Sequence, residues 1–271
     1  MAGETAEVPD HDRALATTVA RLAAAGCVAA EAEAFELTEA ASDAGSLEWM
    51  LRRRERGEPL PWITGTMTFA GHRLRVDPGV YVPRFQSEDL AARAAARLPA
   101  RGAALDLCTG AGAIAAHVCA EVAGASVIGV DRDLRAATNA RRNGVPVVVA
   151  DVRAPLPVRA GRFDVVSAVA PYVPTNALRF LPSDVRDHEP ELALDGGDDG
   201  LDLVRAVATA AAVALRPGGW LLTEVGGDQD ELLAPTLAAL GFEAVETWHD
   251  EDGDLRGIGA RRADPGRPAP R

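Results

Sequence analysis

Leu105-Asp106-Leu107-Cys108-Thr109-Gly110-Ala111-Gly112-Ala113-Ile114 sets an apolar run, a glycine turn and a helix start in succession. Glycines lacking a side chain let a backbone approach a ligand where a strand ends. Gly110, Gly112 and Ala115 satisfy the G-x-G-x-x-G/A spacing of dinucleotide sites, but such turns also serve to pack a helix on a strand. Three acids add information. Asp131 closes the second apolar run roughly 20 residues further on, where an acid accepts hydrogen bonds from both ribose hydroxyls; alternatively it caps the helix running through Asn139. Asp106 lies four residues before Gly110. A pyrophosphate turn gains nothing from a carboxylate there, whereas a methionine ammonium group does, which favours S-adenosylmethionine over a nicotinamide dinucleotide. Asp151, followed by Val152, ends the third run near the expected place of an adenine amine, or is a plain turn former. The expected cofactor set is Asp106, Thr109, Gly110, Ala111, Gly112, Ala113, Asp131, Asp151 and Val152.

Beyond the fourth run stands Val169-Ala170-Pro171-Tyr172, then Val173-Pro174. Taken alone, Tyr172 reads as a strand-end aromatic and both prolines as loop residues. His188, between Asp187 and Glu189, carries an imidazole of the kind that serves as a general base for a hydroxyl or acidic amine, or is a solvated loop histidine. Ser87 followed by Glu88 and Asp89 makes a good helix N-terminus, and Arg84 fits a surface position as well as a functional one. Trp62, Trp220 and Trp248 read as packing residues.

These residues need a scaffold, and the alternation of apolar runs with helical patterns supplies one. Ala104–Leu107, Ser126–Val130, Val147–Ala150, Asp164–Val169 and Trp220–Val225 follow the βαβ rhythm of a parallel sheet. Phe242–Trp248 and Leu255–Arg261 flank an Asp252-Gly253 turn and read as a hairpin added to it. Upstream, Arg13–Ala25, Ala29–Ala40 and Ser46–Glu55 have helical spacing, and Met67–Val76 reads as a hairpin. The expected fold is therefore α/β, a doubly wound, mostly parallel sheet with a C-terminal antiparallel hairpin, plus a small N-terminal helical domain. The expected division is a disordered start at 1–10, helices at 11–56, a linker with hairpin at 57–80, the main domain at 81–262 and a disordered tail at 263–271.

Composition narrows the function. Of 271 residues, 48% are hydrophobic, enough for two cores, and the net charge of −12 disfavours a nucleic-acid partner. Cys27, Cys108 and Cys119 match neither a zinc site nor a disulfide framework, the five histidines do not cluster around them, and no metal is expected. The cysteines are expected to be reduced and mostly buried. No run approaches the ~20 apolar residues of a membrane span, so a cytoplasmic monomer is expected.

From about Ala25 to Arg261 the chain resembles the release factor glutamine N(5)-methyltransferase family. Gly57-Glu58-Pro59-Leu60-Pro61-Trp62-Ile63-Thr64-Gly65 resembles that family's linker, and Val82-Pro83-Arg84-Phe85-Gln86-Ser87-Glu88 its Pro-Arg-Pro-Glu-Thr-Glu signature. Asp106 to Ile114 is similar to its cofactor loop. Glu189-Pro190, Ala193-Leu194, Gly196-Gly197 and Asp199-Gly200-Leu201 are similar to the segment after its fourth strand. Pro217-Gly218-Gly219 and Glu224-Val225-Gly226 resemble its fifth. The resemblance implies the class I methyltransferase fold, S-adenosylmethionine as cofactor, and methylation of the glutamine in the Gly-Gly-Gln motif of a release factor. It also implies that Val169, Ala170, Pro171 and Tyr172 occupy the catalytic tetrad, Asn-Pro-Pro-Tyr in the family. There the Asn oxygen and the next backbone carbonyl hold the substrate amide NH2, while the aromatic ring packs on the amide plane.

Here Val169 has no polar atom to offer, and Ala170 keeps only a carbonyl. An oriented hydrogen bond at a reacting centre is worth about 2.7–4 kcal/mol, so a loss of roughly 10²-fold in rate is expected from Val169. Asn176 is a weak substitute, since it falls in the loop after Pro174. Two further readings follow from Val169: a small-molecule methyltransferase with a more nucleophilic acceptor, and a non-catalytic S-adenosylmethionine-binding protein. A nicotinamide oxidoreductase is opposed by Asp106 and the terminal hairpin. A nucleic-acid adenine methyltransferase is opposed by the charge.

Overall fold

The computed structural model describes residues 10–264. Most of the expected disordered start and tail therefore lies outside the described residues. Asp10 already belongs to a helix, and Ala263 N–H donates to the Gly241 carbonyl at 3.0 Å, so order reaches into both of those expected segments.

Helical spacing upstream gives α1 (Asp10–Ala24), α2 (Ala30–Ala40) and α3 (Ala44–Arg54). The third helix starts before the expected Ser46 because Asp43 and Ser46 cap each other. The Asp43 carboxylate accepts from Ser46 N at 2.8 Å and the Ser46 hydroxyl accepts from Asp43 N at 3.0 Å, which draws Gly45 into the first turn. Leu22, Ala34, Leu37 and Leu51 bury together with Ile63, and a shielded Arg54–Glu33 ion pair ties α3 to α2.

Leu60–Thr64 forms a one-turn helix, α4, that tolerates Pro61 because a first-turn residue needs no N–H partner. Strands β1 (Thr66–Phe69) and β2 (His72–Arg75) pair around Ala70-Gly71, both at positive φ, as a two-residue hairpin turn requires.

The main sheet contains β3 (Ala103–Leu107), β4 (Ser126–Asp131), β5 (Val147–Val149), β6 (Phe163–Ala168), β7 (Leu215–Glu224), β8 (Phe242–His249) and β9 (Leu255–Arg262). Their order is β5-β4-β3-β6-β7-β9-β8, with β3 to β7 parallel and β9 antiparallel to both neighbours. Strand β7 begins earlier than expected, at Leu215, and its register on β6 shifts between Phe163 and Val165, across the Pro217–Gly219 stretch. Strand β8 is irregular between Glu243 and Glu246, where Ala244 has φ 49°.

Helices α5 (Ser87–Arg97), α6 (Ala113–Glu121) and α7 (Leu134–Arg142) follow or precede the strands on one face together with the β1–β2 hairpin. A short α8 (Ser183–His188) lies in the long segment after β6. Helices α9 (Asp202–Ala214) and α10 (Gln229–Ala239) cover the opposite face, where Leu105, Val166, Val204, Val207, Leu221 and Leu233 are buried. Fully buried Asn139 on α7 clips the linker in place, accepting from Asp77 N at 2.6 Å and donating to the Arg75 carbonyl at 2.8 Å. Trp62 and Trp248 are buried, as packing residues should be, and the Trp62 indole donates to the Val80 carbonyl at 2.9 Å. The cysteines are free thiols, but Cys119 is exposed and Cys27 and Cys108 are half-buried. The expected burial fails at Cys119 because it sits on the solvent side of α6. No described helix is long and apolar enough to cross a membrane.

Candidate active site

Strand β3 ends at Leu107, and the chain then turns through three positive φ values: Cys108 at 55°, Gly110 at 56° and Gly112 at 83°. The two glycines do different work. A Cβ on Gly110 would meet nothing within 4 Å, so that position opens onto free space, whereas one on Gly112 would press Ala140 and Val145 at 3.0–3.1 Å. Gly112 thus lets α6 pack on α7, and Gly110 leaves room over the turn. Thr109 points under the turn into space left by Gly129, where any Cβ would collide with it at 2.9 Å.

A cleft of about 730 Å³, its open mouth included, lies at the C-terminal ends of β3, β4, β5 and β6, the place where open α/β sheets bind ligands. Gly110, Asp131, Asp151, Val152, Val169 and Pro171 of the expected residues line it. Asp131 is held by two backbone donors: Gly110 N reaches one carboxylate oxygen at 2.9 Å and Asp133 N the other at 2.9 Å. Burial raises its pKa against the pull of those N–H groups. It is not the helix cap, since that role falls to Asp133, whose side chain accepts from Arg135 N. Asp151 does form a turn, and Arg153 holds its carboxyl well below the usual carboxylate range.

The other expected residues stand behind the wall. Asp106 is 2% exposed and accepts from the Thr109 hydroxyl at 2.6 Å and the Ser167 hydroxyl at 2.8 Å; burial pushes its pKa up to about 6. Ala111 packs against Trp62, Val80 and Val82, while Thr109 and Ala113 are buried. Ala170 is buried in the sheet core with Tyr172 packed beside it. The Tyr172 carbonyl accepts from the Gln229 side chain at 2.8 Å, and burial pushes its phenol up to about 12. Asn176 is exposed in a 3-10 turn and His188 packs against Gly57; neither lines the cleft.

Two segments distant in sequence meet beside the cleft. Buried Glu189 pairs with Arg84 and accepts from Val82 N, and the Arg84 guanidinium lies 4.8 Å from the Tyr81 ring centre. Next to Tyr172 and Ser87, burial lifts Glu224 to about 7. Sequence reading did not single out Tyr81, Cys108, Arg132, Pro190, Leu192 or Leu203 as lining residues. Cys108 was within view, as a non-glycine inside a glycine turn.

Residues 104–186 match the family described as "Methyltransferase domain". The chain is 37% identical over 216 residues to the release factor glutamine methyltransferase of Geobacter sulfurreducens, a match covering 78% of this chain and 76% of that one. The chain belongs to the release factor glutamine methyltransferase family. It is an S-adenosylmethionine-dependent methyltransferase with the class I fold. A second relative, the 4-amino-L-phenylalanine/4-methylamino-L-phenylalanine methyltransferase of Streptomyces pristinaespiralis, is 38% identical over 73% of this methyltransferase and 70% of its own length. Among solved structures, the E. cuniculi Mtq2–Trm112 complex, described as responsible for methylation of the eRF1 termination factor, is similar in fold. It has a TM-score of 0.50 and 22% identity, covering 68% of this chain and 99% of that one.

The residues present fit the cofactor of this methyltransferase family. The cleft has open space over Gly110, a carboxylate at Asp131 whose backbone bonds use only part of its acceptor capacity, and an apolar floor from Val130, Ala136 and Val152.

Proposed function

We propose that this chain methylates the side-chain nitrogen of a glutamine presented by a protein of the release-factor type. The observation that carries this reading is the place of Val169 and Pro171 in the wall of the same cleft that Asp131 and Gly110 line, at the end of β6. S-adenosylmethionine supplies an electrophilic methyl group when bound. Asp131 would accept from the ribose hydroxyls, Gly110 would let the ligand lie close to the backbone, and Val152 would pack on the adenine. Asp106 acts from behind, fixing Thr109 and with it the turn. Of the four tetrad positions Val169 and Pro171 face the cleft, Ala170 and Tyr172 would back them from the core, and the missing acceptor at Val169 would leave the nitrogen less firmly aimed. Transfer would join the methyl to the glutamine nitrogen at the expense of its bond to sulfur, with the amide proton passing to solvent water. The helices over 11–56 hold the protein partner, and the enzyme works as a cytoplasmic monomer without nucleic acid.

A second reading has one specific observation behind it. Val169 presents an apolar surface to the cleft, and a relative 38% identical to this chain is named for an aromatic amine substrate. An arylamine nitrogen is more nucleophilic than an amide and needs less orientation.

One experiment separates the two readings. Labelled cofactor is incubated with a bacterial release factor, or with 4-amino-L-phenylalanine, using wild type and Val169→Asn. Under the first reading the variant gains roughly 10²-fold in transfer to the release factor; transfer to the amine alone, with no gain, sinks it in favour of the second.

A further inference from the structure

The β1–β2 hairpin and helix α6 meet at a group of side chains that the cleft does not use. His117 and Glu121 stand four residues apart on α6, so they project from one face. His72 reaches them from β2, its Nε2 3.6 Å from a Glu121 carboxylate oxygen, and the two imidazole centres are 5.6 Å apart, edge to face. One nitrogen or oxygen from each of the three residues lies within 4.8 Å of the others. His117 is 8% exposed, and neither its Nδ1 nor the buried Nε2 of His72 has a hydrogen-bond partner among the described residues. Buried polar atoms normally find partners, so two such nitrogens beside one carboxylate call for an explanation. A His–Glu ion pair at 3.6 Å satisfies neither.

We propose that His72, His117 and Glu121 bind a divalent transition-metal ion, zinc by the chemistry of the donors, which braces the linker hairpin against α6. Two imidazoles with one carboxylate suit zinc, whereas magnesium and calcium favour sites built wholly of oxygen. Ligands ~2.1 Å from a tetrahedral zinc lie ~3.4 Å from one another, so the group has to contract. Glu121, whose side chain is 53% exposed, makes that movement by changing rotamer. Three protein ligands leave the fourth position to water. His72 and His117 are 45 residues apart in the sequence, which hides them from any spacing motif and explains why no metal was expected.

The test is calorimetric titration of the full chain with zinc chloride, with magnesium chloride as control, alongside thermal melts in each ion. One zinc per chain and a higher Tm in zinc alone are expected. Glu121→Gln and His72→Gln, both at partly exposed positions, weaken binding at least ~10-fold, the loss seen on removing even an outer-shell partner. Cobalt in place of zinc gives the visible absorption of a tetrahedral site in wild type and loses it in both variants. Cys119→Ser keeps wild-type affinity. Absence of stoichiometric binding, or unchanged affinity in Glu121→Gln and His72→Gln, reduces the group to an ion pair and overturns the proposal. A loss in Cys119→Ser overturns the ligand set.

Discussion

Asp131 holds the residue-scale consequence that is easiest to measure. Its carboxylate already receives the Gly110 and Asp133 N–H groups, so its position is fixed before a ligand arrives. Hydrogen bonds to a charged group are worth about 1.5–3 kcal/mol. Asp131→Asn is therefore expected to weaken S-adenosylmethionine binding by at least about 10-fold in isothermal titration while the protein stays folded; unchanged affinity would remove the ribose assignment. Asp106 teaches a different lesson. Its type and spacing were legible, and they pointed to a ligand, but sequence cannot say to which side of the turn a strand residue's carboxylate turns. The hydroxyls that occupy it come from Thr109 and from Ser167, 61 residues away.

At the scale of elements, the two glycines of the turn separate binding from folding. Gly110→Ala places a methyl in open space, so it costs about 1–2 kcal/mol for its left-handed backbone and intrudes on the proposed cofactor position. Gly112→Ala has the same backbone cost and in addition presses α7, typically 1–3 kcal/mol more. Melts and titrations should therefore split, with the larger Tm loss in Gly112→Ala and the weaker cofactor binding, among variants that fold, in Gly110→Ala. The reverse pattern would contradict the division of labour. The sheet strands were legible because both faces are covered and their apolar runs are continuous. Helix α4 was not, since five residues containing a proline carry no helical period. The early start of α3 was hidden in a reciprocal cap rather than in hydrophobic spacing.

For the whole molecule, buried carboxylates give stability a pH dependence with a definite sign. Burial lifts Glu224 to about 7, against an ordinary glutamate near ~4.3. Between those values the folded chain holds a proton that the unfolded chain releases. Its contribution is therefore complete below about pH 4 and is lost as pH rises through 7, by about 4 kcal/mol for this group. Asp106, raised to about 6, adds in the same direction. Denaturant titrations of wild type and Glu224→Gln across that range should show a shallower decline in the variant; parallel curves would mean that Glu224 stays ionised.

The irregular strand β8 has a consequence for association. An unpaired sheet edge is a template on which another chain can add a strand. At one end of this sheet β5 offers only three residues. At the other, β8 breaks register between Glu243 and Glu246 and places two glutamates along the break. Neither edge presents a flat, continuous row of backbone donors and acceptors, so crowding such molecules together does not extend the sheet from one chain into the next.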